Sequence, residues 1–186
     1  MNQSDEELMA AIAEGDGQAF RLLINRYQAP LLRFVARLLS NETMAEDVVQ
    51  ATFLAVWRNA ENWEPKAKLS TWLFTIARRR AIDVARQRKV TLDPEEVILV
   101  DTSPKPDRQL ATQQTRNAVQ AAIDRLPERQ KAAILLVHHE GLSGAEASQV
   151  LDVTGEALES LLARGRRTLK AALAPRREDL LVGEEA

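Results

Sequence analysis

The sequence contains no cysteine. That removes disulfide bridges, thiolate zinc sites and thiol nucleophiles together, and it suits a reducing compartment. Aromatic residues make up only 4% of the 186 residues, and there are seven glycines and seven prolines. A sandwich or barrel of short strands needs more β-prone and turn-forming residues than that. No apolar run approaches the about 20 residues that cross a bilayer, so no membrane insertion is expected. The opening MNQSDEELMA is acidic where a secretory signal would be basic, and a cytoplasmic location is expected. There is no Walker loop, no G-x-G-x-x-G, no G-x-S-x-G and no H-E-x-x-H. His138 and His139 are adjacent, so on a helix they point about 100° apart and make a poor pair of metal ligands. No catalytic residue, no metal and no cofactor is expected, and the chain is not read as an enzyme. What is present is 45% apolar and 28% charged sequence, rich in Arg, Glu, Ala and Leu. That mix builds soluble helices and predicts an all-α fold.

Charge is segregated along the chain. Residues 1–19 carry five acids and no base. Residues 66–90 carry eight cations against Asp83, and residues 91–107 carry five acids against Lys105. Residues 160–177 carry six cations and no acid, and the last nine residues carry four acids and no base. Two basic blocks separated by an acidic stretch fit two polyanion-facing surfaces, or two solvated helix faces.

Hydrophobic spacing and cap residues predict a succession of helices. Ser4 with Glu7 is a capping-box pattern, opening a helix through Leu8 and Ile12 as far as Gly15-Asp16-Gly17. Phe20, Leu23, Ile24 and Tyr27 mark a second helix. Pro30 predicts a break or a new first turn before Leu31, Phe34, Val35 and Leu38. Asn41 is the next cap, and Val49, Phe53, Val56 and Trp57 are read as one core face. Residues 59–70 with Pro65 read as a loop, and Ser70 as the cap of a long helix with Leu73, Ile76, Ala77 and Val84 inward. Residues 91–112 read as a linker with one apolar patch, Val97 to Val100. Then Val119, Ala122, Ile123 and Leu126 form a helical face, and Pro127-Glu128 opens another helix, which Gly141 ends. Ser143 with Glu146 is a second capping box, and Thr154 caps a last helix to about Leu173, stopped by Pro175. Within Gly141–Leu169 the positions Ala147, Val150, Val153, Leu158 and Leu161 or Leu162 fit a helix–turn–helix core, or an ordinary helical hairpin. The expected organisation is two small helical domains, 1–90 and 113–175, joined by the linker 91–112 and followed by an acidic tail, 176–186.

Several colinear motifs carry a resemblance. They are Ala19-Phe20 with Tyr27, Ala45-Glu46-Asp47-Val48-Val49-Gln50-Ala51-Thr52-Phe53, and Ser70-Thr71-Trp72-Leu73-Phe74-Thr75-Ile76-Ala77-Arg78 with Ala81-Ile82-Asp83. Later come Leu126-Pro127-Glu128-Arg129-Gln130, Glu140-Gly141-Leu142-Ser143 and Glu146-Ala147. In this order, over about residues 5–175, the chain resembles the extracytoplasmic-function (ECF) class of sigma-70 RNA polymerase sigma factors, which keep only regions 2 and 4.

The resemblance implies that the first domain is region 2 and the second is region 4 with a helix–turn–helix. It implies binding to core RNA polymerase at the β′ clamp helices and the β flap, recognition of promoter DNA, and control by an anti-sigma factor. Asp47, Gln50 and Leu54 would meet the polymerase, and a 3.6-residue period sets them apart from Val49, Phe53 and Val56. The −10 element would be held by Lys66, Lys68, Trp72, Arg78, Arg79, Arg80, Arg86, Arg88 and Lys89. Trp63 and Trp72 fit either stacking on bases or a place in the core. The −35 element would be read by Thr154, Glu156, Ser160, Arg164, Arg166 and Arg167. The chain departs from the family at three positions. Relatives often carry Asn where Arg79 stands, Lys where Glu159 stands and Arg where Leu161 stands. Glu159 and Leu161 motivate an alternative, a sigma-like decoy that binds an anti-sigma factor without recognising a promoter. A dimeric helix–turn–helix repressor is a further alternative.

Overall fold

The computed structural model describes residues 3–91 and 109–174, with side chains for 3–88 and 117–174. The apolar patch at 97–100, Pro175 and the acidic tail lie outside the described residues. Helix α1 spans Asp5–Ala13. Its capping box forms as the sequence predicts: Ser4 Oγ accepts from the Glu7 N–H at 3.2 Å, and the Ser4 N–H donates to the Glu7 carboxylate at 2.7 Å. Asp16 then caps α2, Gly17–Leu39, accepting from the N–H groups of Gln18 and Ala19.

Pro30 does not break this helix, contrary to expectation. A proline inside a helix removes one hydrogen bond and costs about 3 kcal/mol. Leu23 before it and Leu31, Phe34 and Val35 after it are all buried. Each such side chain recovers about 1.5–3 kcal/mol on leaving water, so a continuous buried stripe outweighs the loss.

Asn41 caps α3, Glu42–Asn59, accepting from the Met44 N–H at 2.9 Å. A single 3₁₀ turn, Ala60–Asn62, leads through an irregular loop to α4, Leu69–Thr91. This helix begins one residue before the expected Ser70 cap. Leu69 is buried and anchors the first turn, and the Trp72 N–H donates to the Lys68 carbonyl. Helix α2 packs on α1, α3 and α4, and α3 packs on α4. Phe34 and Phe74 meet edge to face at 5.3 Å between centroids inside this bundle. Trp57 is not in the core as expected: it is 38% exposed, with Phe20 against one side at 4.9 Å.

The second half comprises α5 (Gln109–Asp124), α6 (Glu128–Ile134), α7 (Gly144–Leu151) and α8 (Gly155–Leu173). Helix α6 does not run on as a plain α-helix. It passes into a π turn, Leu135–His139, where the Glu140 N–H reaches back five residues to the Leu135 carbonyl. Gly141 comes next with φ +70° and ends the helix as predicted. Asp152, left-handed at φ 55°, makes the turn between α7 and α8, and Thr154 caps α8 by accepting from the Ala157 N–H. Buried apolar residues of both halves form one continuous cluster. Among the described residues there is no strand, and no helix is long and apolar enough to cross a membrane.

Local geometry sets two expectations for stability. A Cβ on Gly165 would stand 3.0 Å from Ile134 Cγ1, so α8 lies against α6 through a bare backbone. Gly165→Val is expected to lower stability by about 1–3 kcal/mol in denaturant melts, because the core must overpack. The second concerns the capping box of α7, in which Ser143 Oγ and N–H donate to the Glu146 carboxylate at 2.6 and 2.8 Å. The Ser143 side chain, then Lys68 and the Ser143 backbone, hold the Glu146 carboxyl down at about 2. A depressed carboxylate stabilises the fold above its unfolded value near 4.5 and stops doing so as pH falls through about 2. Wild-type stability is expected to decline over that window, and Glu146→Gln is expected to flatten that part of the decline in melts taken at successive pH values.

Candidate polymerase and promoter interfaces

Helix α3 is two-sided by period. Val48, Val49, Thr52, Phe53 and Val56 face the bundle. Asp47, Gln50 and Leu54 all lie exposed on the opposite side. Trp57 continues that stripe, seven residues beyond Gln50. With Leu22 at 49% and Leu54 at 48%, Trp57 completes the exposed large apolar side chains among the described residues. The signal for Trp57 was available in the sequence, since its spacing from Gln50 fits the outer stripe as well as its spacing from Phe53 fits the core.

The loop before α4 and the start of that helix enclose an open basin of about 600 Å³. Trp63 and Trp72, both half-buried, are part of its wall, with Asn59, Asn62 and Lys66 at its edge. The two asparagines were not singled out from sequence; the polar run NAEN before Trp63 was their only mark. Lys66 pairs locally with Glu64.

Along α4 the predicted cations divide. Arg79, Arg86 and Arg88 are exposed, and Arg88 rests on Met44 Sδ at 3.6 Å. Arg79 and Arg86, seven apart, share a face. Arg80 is half-buried, and its Nε has no hydrogen-bond partner. Arg78 is buried at 8%, donating to Glu128 at 3.0 Å from the second half. Lys68 pairs with Glu146 at 2.9 Å. The side chain of Lys89 lies outside the described residues. Trp63 and Trp72 thus wall a basin at the start of α4, and Arg79 and Arg86 lie outward further along the same helix; rings of this kind can stack bases, and guanidinium groups can hold phosphates.

In the second half, α7 and α8 form the helix–turn–helix frame, with Ala147, Val150, Leu151, Leu158 and Leu162 buried. Glu156, Ser160, Arg164, Arg166 and Arg167 are exposed on α8, and Thr154 is exposed at its cap. Glu159 is exposed as well, whereas Leu161 is half-buried and packs on the core. The departure at 161 therefore turns inward, and the departure at 159 faces out. Among the described residues no cluster of three or more His, Asp or Glu could hold a metal ion, and His139 instead meets Arg37.

Comparison with known proteins matches both halves. Residues 23–91 fit the Sigma-70 region 2 family, and residues 116–169 fit the Sigma-70, region 4 family. The ECF RNA polymerase sigma factor SigM of Mycobacterium tuberculosis is 36% identical over 172 residues, covering 92% of this chain and 85% of that protein. The RNA polymerase sigma factor NccH of Alcaligenes xylosoxydans xylosoxydans is 29% identical, covering 91% of this chain and 94% of that protein. Among solved structures, CnrH in complex with the cytosolic domain of CnrY aligns at a TM-score of 0.72 and 26% identity, over 93% of this chain and 99% of that one. The sigma factor RpoE in complex with the anti-sigma factor NepR from Bartonella quintana aligns at 0.68 and 25% identity, over 83% of this chain and 96% of that one. Two sigma regions in their expected order, relatives matched along almost their whole length, and a helix–turn–helix with its basic helix outward make this chain a member of the ECF class of the sigma-70 family of RNA polymerase sigma factors.

Proposed function

We propose that the chain docks on core RNA polymerase through the outer stripe of α3, directs it to promoters, and is restrained by an anti-sigma factor. Residues 1–90 act as region 2 and residues 113–175 as region 4. Region 2 meets the β′ clamp helices through Asp47, Gln50 and Leu54, with Trp57 extending the surface, and region 4 meets the β flap. The observation that carries this reading is the basin beside the α4 ridge. It offers Trp63 and Trp72 to a base drawn out of the stack, with Lys66 at its edge and Arg79, Arg80, Arg86 and Arg88 further along α4 to hold the displaced backbone. Helix α8 enters the −35 major groove, where Ser160 and Glu156 meet base edges and Arg164, Arg166 and Arg167 meet phosphates. The chain supplies binding and positioning. Bond formation between nucleotides belongs to the polymerase. Its work is done in the cytoplasm, where polymerase and promoter are.

Control by an anti-sigma factor is supported by the alignment with RpoE, whose solved form is a complex with one. The exposed apolar side chains Leu54 and Trp57 are the part of α3 that such a partner or the polymerase would cover.

Run-off transcription with purified core polymerase and a genomic promoter library is the test. Start sites sharing −35 and −10 elements are expected. Association with core and no start site would favour a decoy, and no association would end the assignment of α3. Leu54→Asp is expected to weaken core binding by at least about tenfold, as loss of an apolar anchor does. Trp63→Ala is expected to leave core binding intact and cut open-complex formation by about 10–100-fold, the worth of one stacked base.

A further inference from the structure

Charge on α8 is polarised along the helix. Its two acids, Glu156 and Glu159, come early, and its four cations, Arg164, Arg166, Arg167 and Lys170, all follow them. Glu156 stands in the first turn, where the helix dipole favours a carboxylate. Glu159 stands one turn further on, where that field has faded. Three and four residues before it are Glu156 and Gly155, and three and four after it are Leu162 and Ala163. No cation is within helical reach, and the one charge that is has the same sign, which weakens the helix slightly. Glu159 is exposed, and among the described residues it forms no ion pair and no side-chain hydrogen bond. Neither the winding nor the packing of α8 accounts for a carboxylate at this position.

Its surroundings on the helix suit a base edge. Glu156, Glu159, Ser160 and Ala163 are all exposed, and their spacings of three and four residues make them one contiguous patch. A recognition helix puts its N-terminal residues to the base edges of the major groove. In α8 that end carries the carboxylates, and the cations that suit phosphates begin about 7.5 Å further along the axis, at Arg164. A carboxylate is repelled by phosphate and by every acceptor on a base edge, so it needs a donor. The major groove offers two, the N6 amino group of adenine and the N4 amino group of cytosine. Adenine sets its N7 acceptor beside the amino group, which opposes a carboxylate, and cytosine shows its amino group without one.

We infer that Glu159 is a specificity-determining residue that selects a cytosine in the −35 element by accepting a hydrogen bond from its exocyclic amino group. This rests on the promoter-binding reading of α8. The same chemistry fixes what a replacement would select. A glutamine has both a donor and an acceptor, which match N7 and N6 of adenine, and an alanine has neither.

The test is selection by the full chain, assembled with core polymerase, from promoter DNA whose −35 region is randomised. The wild type is expected to enrich cytosine at one position, on one strand, by at least about tenfold over the other bases. Glu159→Gln is expected to move the preference at that position to adenine, and Glu159→Ala to flatten it to within about twofold, with the remaining positions of the motif kept in both. Variants that hold the wild-type preference at every position overturn the inference. So does a change that falls on all sequences alike: a uniform gain in affinity would mean that the carboxylate faces phosphates, and a uniform loss that it serves the fold. These outcomes leave the promoter reading standing, since the wild type still selects a motif. A wild-type assembly that enriches no −35 sequence removes that reading, and the role of Glu159 with it.

Discussion

Helix α4 must be a wall of the core and a carrier of positive charge at once, and much of the molecule derives from that conflict. Leu69, Leu73, Phe74, Ala77 and Ala81 are its buried side. Ala77 and Ala81 are fully buried, and Arg78 beside Ala77 is buried with them. A buried guanidinium without a counter-charge is severely unfavourable. The counter-charge comes from Glu128, fifty residues on. Arg78 is thus buried where the two halves meet, and Glu128 of the second half supplies its counter-charge.

The acids that dominate the first turn of the chain serve a different local purpose. Asp5 accepts from Arg26 at 2.6 Å and from the Tyr27 hydroxyl at 2.5 Å, tying α1 across α2. Burial, and then the Asp5 carboxylate, push the Tyr27 phenol above its ordinary range. On the other side, burial raises the Asp124 carboxyl, but Lys131 and Ser40 outweigh it and hold it low. A net charge of −2 therefore says little about this protein. Many of its acids are committed to named partners, and outward cations gather on the faces of α4 and α8.

What could be read from the sequence was what is local. Both capping boxes, the Asn41 and Thr154 caps and the Gly141 stop rest on side chains within a few residues of the backbone they serve, and all five stand in the structure. Period alone also placed Asp47, Gln50 and Leu54 outward on α3, and Glu156, Ser160 and Arg164 lie outward on α8. The misreadings arose where packing overrode local preference. Pro30 is carried by the buried stripe on either side of it, Leu69 sets the start of α4 ahead of Ser70, and Trp57 satisfied two spacings of which the outer one held. The fate of Arg78 and Lys68 was not legible, because their partners are fifty and more residues away and no periodicity links them. Nor was the π turn, since nothing in the sequence Leu135 to His139 marks a wider winding.

That π turn has a geometric meaning of its own. A π turn inserts one residue into a helix without adding a turn, so the chain beyond it is rotated by about 100° relative to an unbroken α-helix. That rotation sets the direction in which the chain leaves the helix toward Gly141 and α7. The approach of the chain to the helix–turn–helix is therefore set in part by the winding of a stretch outside it. A chain lacking a single residue between Leu135 and Gly141 would leave this helix in another direction, even with every residue of α8 unchanged.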